Sequence, residues 1–563
     1  MTRRLSLYIA LAVASAFLSL IAYFVAADLN TKYLENHAFY GDTQAYYYAQ
    51  SRAYWRFKYD GQQEALKREK EANSRNPLRV IPLLKFCPRL LVDINGHIVT
   101  AAFMLFVFLW TFACAVYKRS GSTPYAFASL LLVFSWRHFF DPVLGLGGNF
   151  ADLPAAFLVG AALFSLLNSE RGTRLGWLFL FGIFIACAGL SRFVAAGYGA
   201  VICGPILAYY VVGRAFREKN GLAALIPLVV IFVPVYFLAG QYYLQFTPKI
   251  LSFYSVSGYA LGHPVSRVFE DFVRSFSTLS GVHALYFILA MGGFYLFRFR
   301  SYAKYWGSLL ETLWAVAAHF ILIVFVLKVY GDWLTLLYLI PGFMLLGAAP
   351  VALRKESLTE GSRQLGIRLS FLIGGALLLL ALVRYPGVRS RYDSLDALEQ
   401  RKRTFQREVT AELVEEAKEH YPDVLRNDLL RFDTFFFEYG PSIVNEAAFW
   451  HATALRWDHH YFQTHMGGWR MNHKGKTLEE VKNRVYERVL ENVDYILILE
   501  NPRSELAAPI MNNEWSPAII EDMWQRFRAN PADWKHEEIE PGRFTVESPW
   551  GPVHFYRNLK RRR

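Results

Sequence analysis

Residues 1–27, "MTRRLSLYIALAVASAFLSLIAYFVAA", place Arg3 and Arg4 directly before an apolar run over 5–26. About 20 apolar residues in a helix suffice to cross a bilayer. A signal peptide has a similar basic start, but its apolar core is only about 7–15 residues long. We therefore predict that this segment is an uncleaved membrane anchor.

The pattern of the first segment recurs along the first two-thirds of the chain. Of 563 residues, 54% are hydrophobic and 19% are charged, and the mean hydropathy is +0.19. Soluble domains carry more charge, about 25%. We predict a polytopic α-helical membrane protein with about 11 transmembrane helices. The predicted spans are 5–26, 98–117, 124–140, 153–168, 175–190, 193–212, 222–243, 282–297, 309–328, 333–352 and 367–384.

The charges of the connecting segments give the orientation. If Arg3 and Arg4 lie inside, the inner loops are "YKRSGS", "SERGTR", "GRAFREKNG", "RFRSYAK" and "RKESLTEGSRQLGIR". Each is short and basic, as the positive-inside rule requires. The net charge of +13 is then explained by these loops and by anionic membrane lipids as partners, and there is no nucleic-acid-binding motif.

Two domains are predicted. The transmembrane domain covers 1–384, with a first outer loop at 27–97 and a long outer loop at 244–281. The soluble extracytoplasmic domain, 385–563, is predicted to be α/β or α+β. Its candidate strands lie in "RFDTFFFEYG", "VDYILILENP", "RFTVES" and "PVHFYRNL". Its histidine-rich segment, "HATALRWDHHYFQTHMGGWRMNH", fits no standard zinc signature, so a solvated or acceptor-contacting loop competes with a metal site.

Two aspartates in outer segments are candidate site residues. Asp42 lies in "ENHAFYGDTQAYYYAQSRAYW", residues 35–55. An aromatic belt at the bilayer surface explains the aromatic residues there but not the carboxylate, which is either a plain loop residue or a catalytic one. Asp152 follows a glycine-rich bend and opens a span as Asp152–Leu153–Pro154, so a helix N-cap is its structural alternative.

Cations in the outer segments are candidates for binding a phosphate. Arg192, in "GLSRFVAAG", lies between two apolar runs, where a charge is costly and therefore a functional candidate. Its alternative is a snorkelling side chain. The long outer loop adds Lys249, His263 and Arg267 among several aromatic residues, although this loop would also suit an interfacial helix pair. Further outer cations are Arg137, His138 and Arg274.

The arrangement of these residues resembles that of the GT-C glycosyltransferases. The shared features are Asp42 in the first outer loop, Asp152 at the start of the fourth span, and many spans followed by an outer domain. "DWLTLLYLIPGFMLL" is also similar to the family's Arg-Tyr-Leu-x-Pro stretch, but Leu337 replaces the arginine before Tyr338. Thr43 stands where many members have a second acid. The layout is similar over about the first 350 residues.

The resemblance implies an enzyme that uses a sugar on polyprenyl phosphate, as do the protein O-mannosyltransferases and the lipid A aminoarabinose transferases. Asp42 would be the general base of an inverting displacement. Asp152 would orient the acceptor, share a proton with Asp42, or bind an optional divalent ion, Mg²⁺ or Mn²⁺. Aromatic rings stack on sugars, and the candidates are Tyr40, Tyr46 and Tyr338. The acceptor is a glycolipid, a polysaccharide or a protein, and a bacterial inner membrane is the expected location.

Two alternatives to an enzyme remain at this point: a lipid or sugar transporter or flippase, and a non-catalytic polysaccharide-assembly subunit. Transporters usually place ionisable residues near the bilayer midplane, within repeated halves. Here the acids lie at the outer ends of the predicted spans and the two halves differ. The sequence therefore favours the glycosyltransferase.

Overall fold

The structure is a computed structural model. It describes residues 2–36, 41–71, 77–134, 137–140, 145–148, 151–218, 221–245 and 247–248. Beyond these it describes 265–267, 269–270, 306–321, 397–420, 432–437, 462–466, 477–492, 495–499, 536–539 and 553–559, and single positions within 368–390 and 518–529.

Contacts divide the chain into two units. Unit 1 contains Met1–Leu29, Ala72–Arg79 and Asn95–Val388, and unit 2 contains Asn30–Glu71, Val80–Ile94 and Arg389–Arg563. The predicted first outer loop is thus divided between them.

The secondary structure elements in the described part of unit 1 are all helices, joined by turns and bends. Helix α1, Thr2–Asn36, begins in this unit and continues into unit 2. The helices that follow are α4 (Gly96–Ser120), α5 (Thr123–Phe134), α6 (Asp152–Asn168), α7 (Leu175–Ser191), α8 (Phe193–Glu218), α9 (Gly221–Val235, extended by a π-turn, Tyr236–Gly240) and α10 (Trp306–Ile321). A 3₁₀ turn at Arg137–Phe140 follows α5.

Several of these helices have the length and composition of membrane spans. Among the described residues, four helices are long and apolar enough to cross a membrane: Leu5–Tyr33, Gly96–Ser120, Ala195–Phe216 and Leu225–Gln245. Three shorter apolar helices are α5, α6 and α7. The predicted spans up to 222–243 therefore coincide with helices, except that the helix within the predicted span 124–140 ends at Phe134 and a 3₁₀ turn covers 137–140. The spans predicted at 282–297 and 333–352 lie outside the described residues.

The core of unit 1 forms where α4, α6 and α7 pack together, with Phe108, Phe112, Phe157 and Phe164 at 0–1% exposure. A small residue also allows close packing between α7 and α9. A Cβ on Gly182 of α7 would lie 2.7 Å from the carbonyl oxygen of Ile231 in α9. The two helices approach so closely because position 182 has no side chain.

Unit 2 contains a helix where the sequence predicted a loop. Helix α2, Gly41–Glu71, is interrupted at Gly61, whose φ of 81° is a conformation that glycine adopts readily. An ion pair of 2.9 Å between Arg56 and the fully buried Glu69 joins the two pieces of α2. Helix α2 is followed by α3, Pro77–Phe86, which continues through Pro82, and by a 3₁₀ turn, Pro88–Leu91.

Unit 2 also contains a five-stranded mixed sheet. Its strands are β1 (Phe432–Phe437), β2 (Phe462–Met466), β3 (Tyr495–Leu499), β4 (His536–Glu538) and β5 (Val553–Asn558), in the order β2-β1-β3-β5-β4. The first three are parallel, and β5 is antiparallel to both of its neighbours. Two further helices are α11 (Ala397–His420) and α12 (Leu478–Asn492).

Candidate functional site

An ion pair between Asp152 and Arg192 is the centre of the candidate site in unit 1. Oδ1 of Asp152 contacts Nη1 of Arg192. The Asp152 side chain is 14% exposed and that of Arg192 is 36% exposed. The carboxylate is therefore largely covered, while the Arg192 side chain is partly exposed. We call the end of unit 1 that contains this pair the Asp152 end.

Local backbone geometry places both side chains at this end. Helix α6 begins at Asp152, and the N-cap is Ala151, which makes no side-chain capping bond. The N-cap alternative for Asp152 is therefore wrong, because its carboxylate pairs with Arg192 instead. Helix α7 ends at Ser191, and Arg192 is extended, with φ −152° and ψ 124°. This single extended residue separates α7 from α8.

The Asp152 end also contains a buried histidine that the sequence analysis missed. His97, in the first turn of α4, is fully buried, and its Nε2 lies 2.8 Å from the carbonyl oxygen of Gly147. This contact fixes the glycine-rich bend that precedes Asp152. The backbone N–H of Leu146 donates to the carbonyl oxygen of Phe139 at 2.9 Å. The only sequence signal was a histidine beside a predicted span start.

A tyrosine of the last of the four long apolar helices in the described part, Leu225–Gln245, reaches the same end. The hydroxyl of Tyr243 packs against Gly189, three positions before Arg192, so closely that a Cβ at position 189 would overlap it. The Oγ of Ser191 is buried and has no hydrogen-bond partner in the described part of the chain. Hydroxyl groups therefore accompany the ion pair at the end of α7.

A second group of charges occupies the opposite end of unit 1, which we call the Glu170 end. Glu170 accepts from Lys118 at 3.0 Å and from Arg174 at 2.9 Å. Burial acts to raise the pKa of the Glu170 carboxyl, but the hydrogen bonds and charges of Lys118 and Arg174 outweigh it, so the pKa is lowered. Nearby, Arg119 contacts Glu311 at 3.4 Å and donates to Oγ1 of Thr312 at 2.7 Å.

Of the predicted site residues, the structure brings together Asp152 and Arg192. Asp42 and Tyr46 lie on the first two turns of α2, and Arg137 opens the 3₁₀ turn, but their side chains are outside the described part. Arg267 lies on a short helical stretch, 265–267, and is exposed. The other predicted ligands fall outside the described residues: Tyr40, Lys249, His263 and Tyr338.

The described residues of the Asp152 end do not fit a divalent-ion site. Mg²⁺ and Mn²⁺ prefer several oxygen ligands, usually with more than one carboxylate or a phosphate. Here Asp152 is already neutralised by a guanidinium. In the part of the chain that the structure describes, no group of three His, Cys, Asp or Glu side chains has metal-binding geometry.

No protein-family model matches the chain, and no curated protein matches its sequence.

Proposed function

We propose that this protein is an inverting glycosyltransferase with a GT-C-like layout, which moves a sugar from a polyprenyl-phosphate carrier to an acceptor. The observation that supports it most directly is the Asp152–Arg192 ion pair at one end of an apolar helical bundle. The lipid chain of a polyprenyl-phosphate donor lies in the bilayer, and its phosphate lies at the bilayer surface. An ion pair at the end of a membrane-spanning bundle would contact the phosphate there.

Arg192 is the proposed ligand of the donor phosphate. As the bond to the sugar breaks, negative charge grows on the phosphate, and a fixed cation stabilises it. Asp152 contacts one terminal nitrogen of the guanidinium, and the other nitrogens make no hydrogen bond within the described residues. Arg192 is therefore held in place by Asp152 and still has donors for phosphate oxygens. Further proposed phosphate ligands are Arg137, Lys249, His263 and Arg267.

Asp42 is the proposed general base. It would accept the proton of the acceptor hydroxyl or amine while that atom attacks the anomeric carbon from the side opposite the phosphate. The configuration at the sugar inverts because this is one direct displacement. The proposed sugar contacts are Tyr40, Tyr46 and Tyr338. The acceptor class is a glycolipid, a polysaccharide or a protein.

The location of the charges favours an enzyme over a transporter. Asp152 and Arg192 lie at the ends of α6 and α7. At the opposite end of unit 1, Lys118 lies in the last turn of α4 and Glu170 follows the end of α6. Transporters place such residues near the bilayer midplane, often in broken helices. We place the protein in a bacterial inner membrane with about 11 spans. In this topology Asp42 and the α/β domain formed by 385–563 are extracytoplasmic.

The test is transfer of labelled sugar from polyprenyl-phosphate hexose and pentose donors in membranes that contain the protein. We expect Asp42→Asn to slow transfer by about 10²–10⁴-fold, the usual contribution of a general base. Arg192→Gln should slow it by about 10²–10³-fold, as for the loss of one electrostatic donor. Asp60→Asn is the matched control, since Asp60 is a carboxylate on the same helix as Asp42 and pairs with Arg68. Transfer by Asp42→Asn at the rate of Asp60→Asn would exclude Asp42 as the base.

A further inference from the structure

A groove at the Glu170 end of unit 1 has no role in the proposed reaction. It has a volume of about 490 Å³ and lies between α4 and the start of α7. It is lined by Trp110 of α4 and by Arg174, Gly176, Trp177 and Leu180.

The walls of the groove are aromatic and aliphatic. The rings of Trp110 and Trp177 lie 5.5 Å apart, and Trp177 meets Tyr8 of α1 edge-on at 6.2 Å. Trp110 donates from Nε1 to the carbonyl oxygen of Tyr8 at 3.3 Å, which fixes its ring. Phe179, on the same helix as Leu180, is 44% exposed. Tryptophan and tyrosine rings are typical of the bilayer interface, and a wall of this kind suits an acyl chain.

The mouth of the groove contains a cation with unused donors. Arg174 is 56% exposed, and its Nε donates to Glu170 at 2.9 Å. Within the described residues its terminal guanidinium nitrogens make no hydrogen bond, so they can bind a phosphate in the bidentate manner typical of arginine. Glu170 is shared with Lys118, which leaves two cations against one carboxylate. The excess positive charge favours an anionic ligand.

We propose that this groove binds one anionic phospholipid. Its phosphate contacts the terminal nitrogens of Arg174, and one acyl chain lies along Trp110, Trp177 and Leu180. The site is separate from the Asp152 end, and it requires only that unit 1 is inserted in a membrane. It therefore stands whether or not the protein transfers a sugar.

The test is native mass spectrometry of the full-length protein, delipidated in detergent and titrated with phosphatidylglycerol or phosphatidylcholine. We expect one phosphatidylglycerol to bind with at least about tenfold preference over phosphatidylcholine. Arg174→Gln removes the phosphate donors, and Gly176→Phe fills the groove, since a Cβ at position 176 meets no atom within 4 Å. Each should weaken phosphatidylglycerol binding by about tenfold or more.

Two control variants change the same residue types elsewhere. Arg68→Gln removes an exposed arginine that pairs with Glu64 in the same i,i+4 geometry as Arg174 with Glu170. Gly197→Phe adds the same ring at another glycine with open space around it. Both should bind phosphatidylglycerol like the unaltered protein. Equal binding of the two lipids would overturn the proposal, and so would equal phosphatidylglycerol binding by Arg174→Gln and Arg68→Gln. Either result would mean that lipid binds non-specifically to the apolar surface.

Discussion

At the scale of single residues, the Asp152–Arg192 pair gives a direct prediction. Removing either partner leaves a charge that is partly buried without its counter-ion, which costs more than removing both. We expect a double-mutant cycle of Asp152→Asn and Arg192→Gln to show a coupling of about 0.5–3 kcal/mol. The measurement is the thermal unfolding of the four proteins in detergent. Strictly additive effects would mean that the two side chains do not interact.

Glu170 gives a prediction about pH. Its pKa is lowered in the folded protein, so its ion pairs stabilise the fold above its ordinary value of 4.5, and this contribution is lost as the pH falls through the folded pKa. Glu170→Gln should therefore unfold at a lower temperature than the unaltered protein at pH 7. The cost is about 0.2–1 kcal/mol for the pair with Lys118, whose amine is partly covered, and the exposed pair with Arg174 adds little.

The pH dependence of this difference is the informative measurement. Other carboxylates titrate equally in both proteins. The difference in unfolding midpoint between Glu170→Gln and the unaltered protein therefore reports the contribution of the Glu170 charge alone. We expect this difference to narrow below pH 4.5. If the difference in unfolding midpoint stays constant down to the lowest pH at which both proteins fold, the Glu170 charge does not contribute to stability.

Sequence reasoning at this scale identified the two members of the ion pair but not their contact. Asp152 was recognised as an acid at a span start and Arg192 as a charge between apolar runs. Their pairing depends on the antiparallel packing of α6 and α7, which no local pattern specifies. His97 was missed because a single buried histidine has no distinctive spacing. The role of Asp42 remains a prediction.

At the scale of helices, apolar run length predicted most of the described elements of unit 1. A continuous run of apolar residues gives both the position and the approximate length of such a helix. Helix α2 was missed because its composition is polar and it contains Gly61. Helix α2 is stabilised by contacts with α3 rather than by its own apolar pattern. Ala53 and Ala65 of α2 form a small core with Leu84 of α3. Gln62 donates to the carbonyl oxygens of Leu84 and Lys85.

The close approach of α7 and α9 predicts the effect of a single methyl group. Gly182→Ala places a Cβ 2.6 Å from Cγ of Pro234 and 2.7 Å from the carbonyl oxygen of Ile231, so one helix must move. We expect a loss of about 1–3 kcal/mol, as for other overpacked sites. Thermal unfolding in detergent measures this loss.

The control for this prediction is Gly197→Ala in α8. A Cβ there meets no atom within 4 Å, so the change adds a methyl group without a collision. We expect it to be neutral or to stabilise by up to about 1 kcal/mol, because alanine favours helix over glycine. Equal effects of the two substitutions would mean that α7 and α9 do not pack as described.

At the scale of the whole molecule, the sequence predicted a helical part followed by a part that contains strands. The sheet shows which strands a local pattern can predict. Strands β1, β3 and β5 lie within predicted strand segments, because each is rich in aromatic and β-branched residues. Strand β2 was not predicted, since it lies in the histidine-rich segment, and β4 has only three residues. The strand predicted in "RFTVES" lies outside the described residues.

The orientation in the membrane is the molecular property on which the proposed reaction depends. Helix α4 ends with Lys118 and Arg119 in its last turn, and Arg171 and Arg174 follow α6. In the proposed topology this basic end faces the cytoplasm together with Arg3 and Arg4, as the positive-inside rule requires. The segment between α1 and α4, with Asp42 and Cys87, would then be outside.

The four native cysteines allow a direct test of this orientation. Cys87 is exposed, whereas Cys114 and Cys203 are buried and Cys187 is intermediate. We expect a membrane-impermeant maleimide to label the unaltered protein in intact spheroplasts, and Cys87→Ser to abolish this labelling. In the Cys87→Ser background, Thr173→Cys creates an exposed thiol at the Glu170 end and should be labelled only after lysis. The opposite pattern would place Asp42 in the cytoplasm, where it would not face a donor at the outer surface.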